Sequence, residues 1–379
     1  MDNVSKIKVC HMTSAHNSDD IRIFHKECVS LAKAGYDTYL VAKGESRDEK
    51  GVHVVGIGPA PGSRLKRMAL FSNKIYRRAL AIDADIYHFH DPELLPYGLK
   101  LKKAGKKVIF DSHERYVEQI KTKAYLPKSL QAFISYTYDK YESNVVRQFD
   151  AVIFPCTSNG AHPFQKKCRC TETVDNYPIM DELYEHYTPT VEKVCNSICY
   201  VGSLTHNRGI TSLISAMEQV DGTLFLAGKF SPSGYEEALS SNPGWNKVRY
   251  EGSLGREQIR NLLLRSQVGA SAILNVGQYN KYDNLPTKAY EYMSLGLPVI
   301  LTKAPYNEEV NDKYHFGICV NPENTDELAA AVNFLFQHPG QAQQMGLNGR
   351  RAVRQEFNWG TQEKKLLELY KTLVEGLNE

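Results

Sequence analysis

The sequence predicts an α/β protein of two domains, each built on a parallel β-sheet. Three observations lead to this prediction. Short apolar runs alternate with amphipathic or polar segments along the whole chain, which is typical of β-α-β units and therefore of parallel strands. The chain has 379 residues, whereas a single hydrophobic core stops growing at roughly 250–300 residues. It contains no short-period repeat that would indicate a solenoid.

The predicted strands form two sets. In the first half of the chain they are KIKVCHM, DTYLVA, GVHVVGI, DIYHFH, KKVIFDSH and AVIFP. In the second half they are SICYVGS, GTLFLAG, KVRYEGS, VGASAIL, PVILT and GICV. Each run is followed by polar or amphipathic sequence, as a connecting helix requires.

The linker between the domains is predicted within residues 171–196. This segment carries two prolines, lacks the alternation of a strand and precedes a new strand. The predicted domains are therefore residues 1–195 and 196–360. Residues 361–379 have apolar side chains at helical spacing, so we predict an amphipathic helix whose apolar face packs on another element.

The composition is that of a globular protein, with 42% hydrophobic, 23% charged and 10% aromatic residues. No run approaches the roughly 18–20 apolar residues of a membrane-spanning helix, and the start of the chain lacks a signal-peptide pattern. We therefore expect a cytoplasmic protein. None of its eight cysteines forms a C-x-x-C pair, so cysteine spacing does not predict a zinc site.

Basic residues are concentrated in the first half. Up to Met180 there are 28 Lys and Arg residues against 20 Asp and Glu residues. The clusters at 63–80 and 100–107 are interleaved with apolar and aromatic side chains. Such a pattern suits a helix that lies on an anionic membrane, where each cation adds about 1 kcal/mol. Solvated helix faces are the alternative interpretation.

The segment 284–300, NLPTKAYEYMSLGLPVI, predicts a loop that opens a helix ending near Gly296 before the next strand. Unpaired amides at a helix start suit a diphosphate. A carboxylate accepts hydrogen bonds from two vicinal hydroxyls, which is how ribose is commonly bound. Asp283 and Glu291 stand on either side of this helix start. Taken alone, Glu291 could instead be a solvated helix residue.

The whole stretch resembles the signature region of the retaining group 1 (family 4) glycosyltransferases. In that family two glutamates, with seven residues between them, precede a Met-containing helix, a glycine and a Pro-Val strand. The resemblance implies two Rossmann-like domains that face a cleft (the GT-B fold), with the C-terminal helix crossing back to the first domain. It implies that Glu291 holds the donor ribose and that Asp283, in place of the first glutamate, lies at the donor sugar. Leu285 and Thr287 would line the same site.

The segment ICYVGSLTHNRGI (198–210) combines a strand, a glycine turn at Gly202 and a basic residue before a helix. It resembles the family pattern of Gly-Arg-Leu, a short loop and Lys-Gly. Arg208 stands at the lysine position and is implied to neutralise the donor diphosphate, which a guanidinium can engage bidentately. Ser203 stands where the family often has arginine, so Lys288 is the candidate for the second cation.

Two further donor-site residues follow another predicted strand. Gly252 and Leu254 lie in KVRYEGSLG, where the family packs the nucleobase against the backbone. The resemblance thus implies that most of the donor site belongs to the second domain.

In the first domain, IFDSHER places Asp111 and His113 at the carboxyl end of a strand, where ligands bind in open parallel sheets. Alone, His113 could be a core histidine. DSHE resembles the Asp-x-His-Glu element of the family, which implies that His113 approaches the donor sugar near the reacting carbon. Glu114 is implied to position the acceptor or a neighbouring loop.

A second strand end, HFHDPELL, carries four ionisable residues: His88, His90, Asp91 and Glu93. Metal binding is one interpretation of these residues, since His88 and His90 share a strand face, but the spacing does not establish a third ligand. The resemblance implies instead that His90 and Asp91 lie near the acceptor. In the N-terminal loop, Arg22 is a candidate for contact with the acceptor or the diphosphate.

The resemblance implies a retaining transfer from a UDP- or GDP-sugar to a hydroxyl of a lipid-linked glycan, in the biosynthesis of capsule, lipopolysaccharide or a similar surface polysaccharide. His113, Asp283 and Arg208 would carry catalysis. No cofactor or metal is expected, because Arg208, Lys288 and helix-start amides can stabilise the leaving diphosphate. The expected partners are the donor, the glycan acceptor and the inner face of the cytoplasmic membrane, and no nucleic acid.

Two alternatives remain open. An epimerase or hydrolase of the same fold would share the donor site but would need paired carboxylates near the sugar C2, which the sequence does not reveal. A catalytically silent binding protein for sugar nucleotides would be consistent with Ser203 and Asp283, both of which depart from the family pattern.

Overall fold

The computed structural model describes residues 6–62, 67–121, 127–180, 185, 187, 192–277 and 279–377. The chain divides into two compact units, Met1–Asn176 with Thr361–Glu379, and Tyr177–Gly360. The division comes earlier than the predicted boundary near residue 195. The reason is that the Tyr177 side chain already packs in the core of the second unit, against the rings of Tyr290 and Phe357.

Within its described residues, the first unit contains a sheet of eight strands with the order β3-β4-β2-β1-β5-β6-β7-β8. All neighbouring pairs are parallel except β3 and β4. The strands are β1 (Lys8–Asn17), β2 (Asp37–Lys43), β3 (Arg47–Glu49), β4 (Val52–Gly56), β5 (Ile86–Phe89), β6 (Lys107–Asp111), β7 (Ala151–Phe154) and β8 (Thr171–Thr173).

The sequence analysis did not predict β3 and β8. Both are three-residue strands at the edges of the sheet and neither contains a fully buried residue. A strand of three residues is too short for an alternating pattern to be recognised. The six predicted strands of this half are confirmed as β1, β2, β4, β5, β6 and β7.

The helices of the first unit cover the sheet. A π-helix, Ile21–Cys28, continues as an α-helix, Val29–Lys33, and begins at Asp20, whose carboxylate accepts from the N–H groups of Arg22 and Ile23. The remaining helices are Arg67–Phe71, Ser72–Ile82, Pro92–Leu94, Leu95–Lys103, Tyr116–Lys121, Lys128–Val146 and the C-terminal Trp359–Glu375. On the C-terminal helix Leu366, Tyr370 and Leu373 are buried, at the predicted helical spacing.

The described part of the second unit has a fully parallel sheet of six strands with the order β11-β10-β9-β12-β13-β14. The strands are β9 (Ser197–Val201), β10 (Thr223–Ala227), β11 (Val248–Gly252), β12 (Val268–Ser271), β13 (Val299–Thr302) and β14 (Gly317–Val320), as predicted. The helices are His206–Arg208, Ile210–Ala216, Met217–Gln219, Tyr235–Ser240, Pro243–Lys247, Arg256–Arg265, Thr287–Ser294, Pro305–Tyr314, Thr325–Gln337 and Pro339–Gln355.

Both faces of the second sheet are covered. Along β9, Ile198 and Tyr200 belong to one hydrophobic core, and Cys199 and Val201 belong to the other. Burial on both faces explains why SICYV is a continuous apolar run rather than an alternating one.

Each sheet has one point at which the strand order reverses, between β1 and β5 in the first unit and between β9 and β12 in the second. Open parallel sheets bind ligands beyond the carboxyl ends of the strands at such points. The fold therefore directs attention to the residues that follow these four strands.

Of the predicted basic segment 63–80, residues 63–66 lie outside the described residues, and the remainder forms the Arg67–Phe71 and Ser72–Ile82 helices. No helix in the described ranges has both the length and the apolar character needed to cross a bilayer.

Candidate functional site

In the first unit, hydrogen bonds to Asp91 hold the C-terminal part of β1, residues 13–15, against the end of β5. Its Oδ2 accepts hydrogen bonds from the Thr13 hydroxyl at 2.8 Å and from the N–H groups of Ser14 at 2.6 Å and Ala15 at 3.2 Å. Asp91 is buried. Its carboxylate therefore positions this part of β1, which borders the candidate acceptor site.

Arg22 and Asp111 form a buried, bidentate ion pair. The Nε of Arg22 donates to Oδ2 of Asp111 at 2.9 Å, Nη2 donates to Oδ1 at 3.0 Å, and Nη1 donates to the carbonyl of Val174 at 2.8 Å. Burial opposes both charges, but Arg22 holds the pKa of Asp111 well below its ordinary range. The guanidinium is thus engaged inside the protein, which differs from the predicted contact of Arg22 with the acceptor or the diphosphate.

His90, Asp111 and His113 form a hydrogen-bonded group at the ends of β5 and β6. The Nδ1 of His90 lies 3.2 Å from Oδ2 of Asp111 and 3.2 Å from Nε2 of His113, and that Nε2 lies 3.1 Å from the same carboxylate oxygen. Burial lowers the pKa of His90 to about 4 against the opposing effect of Asp111, so His90 is neutral at physiological pH. His113 is 19% exposed at its side chain, and so it is the member that can reach a ligand.

His16 is a second accessible imidazole that the sequence analysis did not assign. Its ring centroid lies 4.9 Å from that of His113, its Nδ1 lies 3.2 Å from Asp20 and its Nε2 lies 3.7 Å from Asp91. Burial disfavours the charged imidazole, but the two carboxylates outweigh burial and raise the pKa of His16. The signal in the sequence was its place shortly after the first predicted strand, KIKVCHM; in the structure β1 extends to Asn17 and includes His16.

A pocket opens beside the C-terminal part of β1. Glu93, on its wall, accepts a hydrogen bond from the Ser14 hydroxyl at 3.0 Å. The lining residues are Met68, Pro92, Glu93, Pro96, Tyr97, Lys100, Tyr116, Tyr138 and Tyr141. Aromatic rings provide apolar faces with polar edges. The four tyrosines come from three separate helices, so sequence spacing could not have revealed the pocket. Glu114 is exposed near the end of β6.

In the second unit, three neighbouring strands end in glycine at one edge of the sheet. The N–H of Gly202 donates to the carbonyl of Ala227 at 2.9 Å, and the N–H of Gly228 donates to the carbonyl of Gly252 at 2.7 Å. Gly228 has a φ of +143°, and a Cβ at this position would lie 1.8 Å from the carbonyl oxygen of Gly202. Only glycine fits there, which leaves an edge of bare backbone. The sequence analysis singled out Gly202 and Gly252 but not Gly228.

Lys288 lies beside this glycine edge. Its Nζ donates to the hydroxyl of Tyr200 at 3.0 Å, and a Cβ on Gly202 would lie 3.7 Å from that Nζ. Burial and the neighbouring charge of Arg208 lower the pKa of Lys288 to about 7, while Glu291 opposes the shift. A fraction of the Lys288 side chains is therefore neutral at neutral pH, and a bound anion would favour their protonation.

Arg208 is the other candidate cation of this unit. Its guanidinium lies 4.6 Å from the centroid of the Tyr279 ring, an arrangement that orients the side chain by a cation–π interaction. Gly209, which follows, has a φ of +76°, and a Cβ there would lie 2.0 Å from the carbonyl oxygen of Ala272. Ser203 is exposed, and its carbonyl accepts from the hydroxyl of Tyr200 at 3.1 Å.

Glu291 is partly exposed on the Thr287–Ser294 helix, and Nη1 of Arg256 lies 3.7 Å from its Oε1. Sequence reasoning did not find Arg256. Asp283 is half-buried before this helix. Leu285 is buried and its N–H donates to the hydroxyl of Tyr290 at 3.1 Å.

The remaining predicted donor residues lie near strand or helix ends. Thr287 is exposed at the start of its helix, and Leu254, two residues after β11, is partly buried against the core. The structure thus brings Gly202, Lys288, Arg208 and Glu291 close enough to interact in the second unit. In the first unit it joins His90, Asp111 and His113.

Two family models match the chain. Residues 23–161 match the glycosyltransferase family 4 model, and residues 191–352 match the model of glycosyl transferases group 1. An MMP alpha-(1->4)-mannosyltransferase of Mycolicibacterium hassiacum is 25% identical over 195 residues, which cover 50% of this chain and 46% of that protein. An uncharacterized glycosyltransferase of Methanocaldococcus jannaschii is 26% identical over 47% of this chain and 45% of its own length. The alignments span about half the length of these curated relatives.

Solved structures resemble nearly the whole chain. Sucrose-phosphate synthase from Thermosynechococcus elongatus superposes with a TM-score of 0.74 at 17% identity, covering 98% of this chain and 100% of the other. Anabaena Alr3699/HepE in complex with UDP-glucose superposes with a TM-score of 0.69 at 15% identity, covering 97% and 100%. At such identities the similarity establishes the fold, and the predicted GT-B class of two Rossmann-like α/β domains is confirmed.

Proposed function

We propose that this chain is a glycosyltransferase of the group 1 kind, as its two matched segments support, and that it transfers a sugar from a nucleoside diphosphate sugar to a hydroxyl of a glycan acceptor. The observation that carries the proposal is the grouping of Gly202, Lys288, Arg208 and Glu291 at the switch point of the second sheet. Structures of Anabaena Alr3699/HepE that share the fold hold UDP and UDP-glucose, which supports a nucleotide-sugar donor here.

In this proposal the second unit binds the donor. The bare backbone at Gly202 lets phosphate oxygens approach closely, and Lys288 and Arg208 neutralise the diphosphate as its negative charge develops. Glu291 accepts hydrogen bonds from the two ribose hydroxyls. Two fixed cations supply the electrostatic stabilisation that a divalent metal would otherwise give, so the proposed reaction does not depend on a metal. Asp283 lies at the donor sugar.

The first unit binds the acceptor. His113 is the proposed catalytic residue of this unit and is hydrogen-bonded to His90 and Asp111, and we assign contact with the acceptor to His16 and the tyrosine-lined pocket. Asp91 and Asp111 are buried and already accept several hydrogen bonds, so neither is suited to attack a sugar as a nucleophile.

We therefore propose transfer on one face of the sugar, with retention of configuration. The bond between the anomeric carbon and the diphosphate oxygen breaks as the acceptor oxygen forms its bond to that carbon. The acceptor proton passes to the leaving diphosphate oxygen, so no covalent intermediate with the enzyme is needed.

We further propose a lipid-linked acceptor of surface polysaccharide biosynthesis and contact with an anionic membrane. Leu70, Phe133 and Tyr136 are each more than 60% exposed, and they stand on the two helices of the first unit, Arg67–Phe71 and Lys128–Val146, that also border the pocket. The related fold of WaaG belongs to a glycosyltransferase involved in lipopolysaccharide biosynthesis. Co-sedimentation with anionic vesicles, compared with zwitterionic vesicles, tests the membrane contact.

Donor binding should consume a proton at Lys288. With its pKa lowered to about 7, the side chain is mostly neutral at pH 8, and a bound diphosphate raises that pKa again because it stabilises the ammonium. We expect calorimetry of a nucleotide sugar in two buffers of different ionisation heat to show an uptake approaching one proton at pH 8. Affinity should fall as the pH rises above 7, by at most tenfold per unit.

The matched control for this experiment is Lys288→Arg, which keeps the positive charge but does not titrate. It should bind the same nucleotide sugar without proton uptake. Equal uptake in the wild-type protein and this variant would assign the proton to another group.

The function itself is tested with a panel of UDP-, GDP- and other nucleotide sugars, by measuring release of the free nucleotide with and without lipid-linked and soluble glycan acceptors. We expect release from one donor, increased by one acceptor, and a product in which the anomeric configuration is retained. Nucleotide release that no acceptor increases would indicate a hydrolase. Conversion of the donor into another nucleotide sugar would indicate an epimerase. Binding without turnover would indicate a catalytically silent binding protein.

A further inference from the structure

Four buried side chains of the first unit converge behind His113: His11 on β1, Glu27 on the π-helix, and His88 and His90 at the end of β5. Each is at most 2% exposed. One potential ligand atom from each side chain lies within 4.8 Å of all the others. The group comes from three elements that the parallel sheet brings together, since His11 and His88 face each other in the register of β1 and β5.

The separations of these atoms approach those around a tetrahedral metal ion. Oε2 of Glu27 lies 3.9 Å from Nδ1 of His11, 3.9 Å from Nε2 of His88 and 3.9 Å from Nε2 of His90. Nδ1 of His11 lies 3.0 Å from Nε2 of His90. Bonds of about 2.0–2.1 Å to a tetrahedral zinc ion place its ligand atoms about 3.3 Å apart.

The second nitrogen of each imidazole has an oxygen partner. Nδ1 of His88 lies 2.8 Å from the hydroxyl of Tyr370, Nε2 of His11 lies 3.2 Å from the same hydroxyl, and Nδ1 of His90 lies 3.2 Å from Oδ2 of Asp111. When an imidazole donates the N–H of this second nitrogen to an oxygen, the inner nitrogen, which is the one near Glu27, carries a lone pair that can bind a metal ion. This is the arrangement that orients histidine ligands in metal sites.

The inner atoms are poorly satisfied without an ion. Among the described residues, Oε2 of Glu27 and Nε2 of His88 have no hydrogen-bond partner, although both are fully buried. Arg22 lies 3.0 Å from the other carboxylate oxygen, Oε1. A buried polar atom without a partner costs roughly 1–3 kcal/mol, so two such atoms that face each other indicate a missing cation.

We propose that His11, Glu27, His88 and His90 bind one transition-metal ion of the zinc type in a closed, structural site. Four protein ligands fill a tetrahedral shell and none is accessible to substrate, so the ion takes no part in the transfer reaction. It joins β1, β5 and the π-helix and, through Tyr370, the C-terminal helix. It also fixes the ring of His90 against His113. Spacing along the sequence did not establish a third ligand beside His88 and His90, because His11 and Glu27 come from distant segments.

The test uses the full-length chain, stripped with a chelator and titrated with ZnCl2 by calorimetry, and the stripped chain loaded with Co²⁺ for visible spectroscopy. We expect one Zn²⁺ per chain and the intense absorption bands of tetrahedral Co²⁺. His88→Gln and Glu27→Gln should each weaken Zn²⁺ binding by at least a hundredfold, and Tyr370→Phe by about tenfold to a hundredfold. Circular dichroism checks that each variant is folded.

His53→Gln is the matched control, because His53 is a half-exposed histidine on β4 in the same unit, away from the cluster. It should bind Zn²⁺ as the wild-type protein does. Binding that is equally tight in His88→Gln and the wild-type protein would overturn the site. If the variants fail to fold, the measurements on the wild-type protein remain a test. Fewer than one tightly bound Zn²⁺ per chain, or the weak absorption bands of octahedral Co²⁺, would also overturn the proposed site.

Discussion

Replacing Glu291 with alanine is expected to lower kcat/KM for the nucleotide sugar by roughly 10²–10⁴-fold. In the proposed complex its carboxylate accepts two hydrogen bonds from the ribose, and hydrogen bonds to a charged group contribute about 1.5–3 kcal/mol each. The loss also leaves Arg256, now 3.7 Å from Glu291, without this carboxylate. Glu291→Gln retains an acceptor oxygen and should lose less activity.

Steady-state kinetics with the donor from the panel measure the effect. Glu257→Ala is the matched control, since Glu257 is an 80% exposed glutamate on the Arg256–Arg265 helix of the same unit. It should retain wild-type rates, and both variants should keep the melting temperature of the parent protein. A Glu291→Ala enzyme within threefold of wild-type kcat/KM would remove this residue from the donor site.

Replacing Asp111 with asparagine should lower the free energy of unfolding of the first unit by about 3–5 kcal/mol. The change removes the bidentate partner of the buried Arg22 guanidinium and leaves Glu27, 3.0 Å away, as its remaining carboxylate contact. Breaking a buried ion pair in this way is costly. Because Arg22 holds the pKa of Asp111 below its ordinary range, the contribution is present at neutral pH. It is lost only as the pH falls below the ordinary carboxyl range toward the lowered pKa.

Urea unfolding followed by hydrogen exchange in β5 and β6 measures this loss in the first unit. The double variant Arg22→Met with Asp111→Asn should recover part of the stability, because the buried guanidinium is removed together with the carboxylate of Asp111. Asp83→Asn, which breaks the ion pair between Lys106 and the 80% exposed side chain of Asp83, should have little effect on stability, because exposed ion pairs contribute little. If Asp111→Asn were as mild as Asp83→Asn, the buried pair would not be stabilising the strand ends.

The sequence could predict those parts of the fold that depend on residues close together along the chain. Continuous apolar runs gave the position of β9 and of the other buried strands, and the Glu291 motif lies within one loop and helix. The two units divide within the predicted linker but before the predicted boundary near residue 195, because the packing of Tyr177 in the second core has no local signature. Gly228 escaped notice because its constraint is a contact with Gly202, on a neighbouring strand.

The least predictable features were partnerships across the sheet. Tyr200 beneath Lys288, Tyr279 against Arg208 and Arg256 beside Glu291 depend on tertiary packing rather than on spacing. The same holds for the cluster around Glu27. A carboxylate in a helix and histidines on two strands become neighbours only through strand order, which alternating hydrophobicity does not specify.

The C-terminal helix has a consequence for the order of folding during synthesis. Tyr370 contacts His11 and His88 in the core of the first unit, yet the whole of the second unit, Tyr177–Gly360, is translated in between. At about 5–20 residues per second, those residues take roughly 10–40 s to emerge. The first unit, most of which leaves the ribosome before the second, therefore cannot form the contacts of Tyr370 with His11 and His88 until the second unit has been synthesised.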